Sequence, residues 1–230
     1  MIGAGMMGLP NRLRSPERAA DTRLAGGIKA LLAQGDSEAA CAQFDQLVNR
    51  YQRRAARIAY YYLHDPSDVD EAVQDAFLKA FVHLASFRED LCFEFWFTRI
   101  LVNGCLDRLK ARARRRRWLA PAGDDERERA EQQTTGEPSP ETLLLQRERR
   151  DCLAAAVRRL PARQRTVVIL SQLAGYATRD VARTMGVSEA TVRVHLFQAV
   201  RSLRRTLGGH RWLVERAATP GTPAVGTGTR

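Results

Sequence analysis

Three sets of residues in this chain have types and spacings that could do chemistry. The first is GAGMMG at residues 3–8, which matches the GxGxxG spacing of a dinucleotide-binding turn. That turn works only between a strand and a helix of a βαβ unit. Here only two residues precede it and no such unit follows, so the match is set aside. The second is a scatter of possible metal or redox ligands. His64, His83, His195 and His210 lie far apart with no HExxH, and Cys41, Cys92, Cys105 and Cys152 form no CxxC. Zinc or redox chemistry needs such closely spaced ligands. The cysteines therefore read as small buried hydrophobes in a reducing compartment. No Ser-His-Asp or Cys-His set can be assembled from spacing, so no catalytic residue, metal or cofactor is expected, and the chain does not read as an enzyme.

The third set is a dense population of arginines close to aromatic rings. Lys and Arg outnumber Asp and Glu by 37 to 26 in 230 residues, a net charge of +11. Such a balance implies a polyanionic partner, nucleic acid ahead of an anionic membrane. The charge is blocked along the chain: −4 over 36–90, +6 over 91–118, −3 over 119–150 and +7 over 151–207. No apolar run reaches the length of a membrane span, and MIGAGMMGLPNRLR has no secretory pattern. A cytoplasmic protein without membrane insertion is expected.

Residues 178–206 are the most informative segment. Thr178 can cap a short helix over 179–185, with Val181, Ala182 and Met185 facing inward. Gly186 can take the positive φ of a sharp exit, Val187 pins the turn, and Ser188 caps the next helix. In that second helix Val192, Leu196, Ala199, Val200 and Leu203 form one apolar stripe, and the other side is basic. This is the pattern of a DNA-binding helix-turn-helix. Its second helix should meet the major groove through Ser188, Glu189, Thr191, Arg193, His195 and Gln198. The same spacing also fits a helical hairpin with a solvated basic face.

A second basic surface is RLKARARRRR at 108–117, downstream of Phe87, Phe93, Phe95, Trp96 and Phe97. Rings that stack on unpaired bases, beside arginines that neutralise phosphate, are how single strands are held. The alternative is that most of these rings are core; Phe87, in the polar connector 86–90, is the best placed for base contact. By contrast, the segment with Asp68, Asp70, Glu71 and Asp75 around Phe77 is acidic. It is a docking face for a basic helical partner, or a plain solvated face.

Apolar periodicity places these residues on helices over about 36–63, 66–84, 93–117, 141–159 and 162–173, with Pro66 and Pro161 at the breaks. No strand pattern appears. The expected architecture is all-α: a flexible arm over 1–35 turning helical near Ile28–Ala33, a helical domain over 36–118, and an acidic linker over 119–140. A helix-turn-helix domain over 141–207 and a disordered tail over 208–230 complete it.

Three runs now stand in a fixed order: DPSDVDEAVQDAFLKAF at 65–81, FEFWFTRILVNGCLDRL at 93–109, and LPARQRTVVIL at 160–170 leading into the helix-turn-helix. With these runs the chain resembles bacterial sigma factors of the extracytoplasmic-function (ECF) group, over roughly 36–118 and 141–207. The resemblance implies two helical domains on a flexible linker and an alternative sigma factor directing RNA polymerase core to promoters. It implies docking on the β′ clamp helices through the second helix, with Asp70, Gln74, Asp75 and Phe77 at matching positions, and a further contact with the β flap. It implies −10 recognition and melting by the 86–95 connector and third helix, where Phe87, Arg88, Asn103, Asp107 and Arg108 are the candidates. It also implies −35 recognition by the last helix, an acidic linker lying in a polymerase channel, and an anti-sigma factor as partner. His195 and Phe197 depart from the usual basic or polar residues at their positions. Two other readings remain open. A stand-alone helix-turn-helix regulator would have no use for the acidic helix, and a nucleic-acid-processing enzyme would need metal-binding carboxylates on a basic groove.

Overall fold

The computed structural model describes residues 15–119 and 140–208. Among these residues every regular element is a helix. Asp36 starts α2 (Ser37–Leu63) by accepting the Ala39 amide in its carboxylate, and His64 ends it at φ 62°. Asp65 caps α3 (Pro66–Val82) through the Asp68 amide, with Pro66 in the first turn where its missing N–H costs nothing. The connector to α4 (Phe93–Leu119) begins with a 3₁₀ turn, Leu84–Ser86. After the linker come α5 (Pro140–Arg158) and α6 (Ala162–Val168), the latter continued by a π turn over Ile169–Leu173. Last are α7 (Thr178–Met185) and α8 (Glu189–Leu207). Most of the linker expected over 119–140, the tail and residues 1–14 of the arm lie outside the described residues.

The arm is corrected by the structure. Residues 15–33 form a regular helix, α1, packed against α2 and α4. Ala25 and Ile28 are fully buried, and the buried Asp21 accepts the Tyr51 hydroxyl at 2.8 Å while pairing with Arg50. The glycines and arginines of this segment suggest a flexible chain. Packing of one narrow apolar face decides otherwise, as it does for most protein helices. Lys29 adds a hydrogen bond from Nζ to the Phe87 carbonyl at 2.9 Å.

The N-terminal unit, α1–α4, is built on an aromatic core. Phe77 stacks on Phe97 at 4.5 Å and Phe93 on Phe97 at 5.9 Å, with Tyr51 and Phe87 edge-on to Phe93. Cys105 lies in this core, where burial pushes its thiol up to about 12, whereas Cys41 is exposed. The expectation of buried cysteines therefore holds for Cys105 and fails for Cys41.

The two units are docked on each other, and the apolar core runs through both. Tyr176, 3% exposed, is the knob of the joint. Its hydroxyl lies 3.0 Å from Thr98 Oγ1, and the Arg54 guanidinium sits 4.4 Å from its ring centre. Glu94, fully buried in the first turn of α4, pairs with Arg18 at 2.6 Å and with Arg54 at 2.7 Å. Arg18 also donates to Asp180 of α7 at 3.1 Å, so one α1 side chain spans both units. Deeper in, the Tyr62 hydroxyl donates to Thr166 at 3.1 Å.

Candidate nucleic-acid interfaces

The helix-turn-helix forms as its sequence dictates, with one change. The N-cap of α7 is Ala177, without a side-chain bond, and Thr178 is the first helical residue rather than the cap. Gly186 leaves α7 at φ +67°, and a Cβ there would meet the Arg99 guanidinium at 3.3 Å. The left-handed backbone is what favours glycine here, while the exposed Arg99 side chain would have to shift slightly for a Cβ. Ser188 Oγ accepts the Thr191 amide at 3.1 Å and so starts α8. Val192 and Ala199 are buried, and Leu196 and Leu203 pack against the core.

This packing sorts the expected groove residues. Arg193 is exposed and bonds Glu189 at 3.2 Å. Gln198 is exposed and accepts from Gln164 at 3.2 Å. Ser188 is exposed but its hydroxyl serves the cap, and the Thr191 hydroxyl lies 2.9 Å from it. Thr191 and His195 are half-buried on the flank of the helix, with His195 Nδ1 turned inward and without a hydrogen-bond partner. The centre of the outward face is instead Ala190, Val194, Phe197 and Arg201. Helical numbering shows that these four share one line (i, i+4, i+7, i+11), but the polar neighbours draw attention first.

On the N-terminal unit the acidic and basic helices are laced together. Arg108 of α4 bonds Glu71 at 2.9 Å and also bonds Asp75, and Arg112 pairs with Asp68. Burial works against the Arg108 charge, but these carboxylates outweigh it and raise its pKa. Arg108 and Asp75, expected at two different interfaces, thus neutralise each other. Asp70 and Gln74 are exposed as expected. Phe77 is not: it is 8% exposed, in contact with Phe44 and Phe97, so it holds α3 down and offers no contact surface. Leu78 and Val82, 63% and 64% exposed, stand on the outer face of α3 and offer the apolar surface that buried Phe77 does not.

The connector and α4 border a shallow hollow lined by Trp96, Ile100, Asn103 and Asp107 of α4 with Lys79, His83 and Ser86 opposite. Asn103 is exposed at its edge, and Asp107 is exposed and paired with Lys110 at 3.0 Å. Phe87 is fully buried against Phe93 and Trp96, so the ring expected to meet a base is part of the core. The ring nearest the hollow is half-buried Trp96. Arg88 is exposed and bonds Asp90 at 2.7 Å. Arg99, Lys110, Arg114 and Arg115 of α4 are exposed basic residues. Among the described residues, no three His, Cys, Asp or Glu side chains gather to hold a metal, and no helix is long and apolar enough to cross a membrane.

Both units of the chain are similar to known proteins. Residues 47–115 match Sigma-70 region 2 and residues 150–203 match Sigma-70, region 4. The ECF RNA polymerase sigma factor SigM of Mycobacterium tuberculosis is 36% identical over 167 residues, covering 72% of this chain and 77% of SigM. CnrH, solved in complex with the cytosolic domain of CnrY, superposes with a TM-score of 0.56 at 24% identity, over 83% of this chain and 99% of CnrH. The sigma factor RpoE of Bartonella quintana, solved with the anti-sigma factor NepR, superposes with a TM-score of 0.55 at 20% identity, over 73% of this chain and 98% of RpoE. With both sigma regions in order on one all-helical chain, and a relative this similar over most of its length, the protein belongs to the ECF RNA polymerase sigma factors.

Proposed function

We propose that this sigma factor divides its work among three surfaces. The outer face of α3, with Asp70, Gln74, Leu78 and Val82, docks on the β′ clamp helices of RNA polymerase core, while the C-terminal unit meets the β flap. The hollow beside Trp96, Asn103 and Asp107 receives −10 DNA as it melts, with the exposed arginines of α4 on the phosphates. The outward face of α8 enters the major groove of the −35 element, with Arg193 at its edge. The chain performs no bond chemistry; it works in the cytoplasm, where polymerase supplies catalysis. An anti-sigma factor is its expected antagonist, as one accompanies RpoE of Bartonella quintana.

The observation that carries this reading is the coexistence on one chain of a helix-turn-helix and a separate acidic–apolar helix face. A stand-alone regulator has no need of exposed Leu78 and Val82 beside Asp70 and Gln74. The test is run-off transcription with bacterial core polymerase over a genomic fragment library. Discrete start sites that depend on the added protein are expected. Arg193→Ala should weaken dependence on the −35 element, and Asn103→Ala should reduce permanganate reactivity of the −10 region without changing core affinity. Tight binding to duplex DNA together with no binding to core would overturn the reading in favour of a stand-alone regulator.

A further inference from the structure

The outward face of α8 has an unusual make-up for a groove-facing helix. Its central line runs Ala190, Val194, Phe197, Arg201, and the first three carry no hydrogen-bonding side chain. Val194 is 53% and Phe197 69% exposed, large apolar side chains standing in water. The residues that flank the line are exposed too: Arg193 and Arg204 on one side, Gln198 and Arg205 on the other. An isolated exposed apolar residue needs no explanation. Here two stand together at the crest of the helix, within a frame of arginines. The frame suits a polyanion on both sides, which is the geometry of two phosphate backbones bordering a groove.

The crest must then meet base edges. In the major groove every base pair presents hydrogen-bond donors and acceptors, which an apolar side chain would strip of water without replacement. The group there that suits apolar contact is the C5-methyl of thymine. We infer that Val194 and Phe197 read thymine methyl groups, so that the −35 element of this sigma factor is selected in part by apolar contact, with the flanking arginines setting register on the phosphates. This rests on the assignment of α8 to the −35 element made above.

The test takes a promoter obtained with the reconstituted holoenzyme and replaces each −35 thymine in turn by deoxyuridine, which removes only the methyl. Loss of one buried methyl should weaken promoter binding about fourfold, at one or two positions. Phe197→Ser and Val194→Ser, both at exposed sites, should each abolish the sensitivity at one position while leaving core affinity unchanged. Deoxyuridine that binds as well as thymine at every −35 position, while Arg193→Ala still weakens −35 dependence, would overturn the inference and leave the −35 assignment standing. If Arg193→Ala and deoxyuridine are both without effect, the assignment itself fails, and the inference with it. If the serine variants lose core affinity instead, the crest is covered by a protein and the inference is wrong.

Discussion

Phe77 and Leu78 are adjacent in sequence and have opposite fates. Phe77 fills the space between α2 and α4, against Phe44 and Phe97, while Leu78 points away from the molecule. The distinction sets a clean test of the polymerase-facing surface. Phe77→Ala removes a buried ring, and substitutions of this kind cost about 3–5 kcal/mol. Leu78→Ala removes atoms already largely in water, and its effect on stability should stay within about 0.5 kcal/mol. Urea unfolding should show this contrast, whereas affinity for core polymerase should fall for Leu78→Ala at full fold. The same logic reassigns Phe87, whose fully buried ring supports Trp96 from behind.

At the level of elements, helix ends do much of the positioning. Ser188 sets where α8 begins, and Gly186 sets the angle at which it leaves α7. Ser188→Ala leaves the Thr191 amide without its acceptor, at a cost of about 1 kcal/mol. Gly186→Ala adds a Cβ at φ +67° and presses it on Arg99, so it should cost more than the cap. Thermal unfolding should therefore rank Gly186→Ala below Ser188→Ala, with both below the parent. The α3–α4 lacing is different in kind. Arg108, Glu71 and Asp75 sit at the surface, with the carboxylates 61% and 51% exposed. Ion pairs in such positions contribute about 0–1 kcal/mol. Their consequence is electrostatic: they remove Arg108 from the basic surface and Asp75 from the acidic one.

At the scale of the whole molecule, the docked arrangement meets a length problem. Elements centred near −35 and −10 are about 25 base pairs apart, or roughly 85 Å along straight duplex at 3.4 Å per step. Residues 15–119 and 140–208 packed as one globule have a radius of gyration of about 16 Å and are about 40 Å across. On the surfaces proposed above, the two units do not reach both elements while Tyr176 sits between Arg54 and Thr98, and the joint is expected to open in the initiation complex. Dyes on exposed Cys41 of α2 and on the end of α8 should show efficient energy transfer in the free protein and a marked loss with core and promoter bound. Asp180→Asn weakens the Arg18–Asp180 ion pair across the joint, and should lower transfer in the free protein as well. Transfer that stays unchanged in an active promoter complex would rule out opening.

Much of this protein follows from sequence alone because its elements are locally determined. Asp36, Pro66, Gly186 and Ser188 mark helix ends by chemistry that acts within four residues. Apolar spacing of 3.6 residues sets which face of each helix turns inward. The helices and the two-unit order, together with the helix-turn-helix, were legible on those grounds. Three things were not, because each depends on partners distant in the chain. Whether Phe77 and Phe87 are core or surface depends on rings contributed by α2 and α4. Whether residues 15–33 fold depends on the surface that α2 and α4 offer them, since their own composition is that of an arm. Whether Arg108 and Asp75 face separate partners depends on the alignment of α3 with α4, which brings together side chains 33 residues apart and joins them to each other. Local chemistry decides where a helix begins and which side is apolar; only tertiary packing decides which of its exposed residues are left free to meet another molecule.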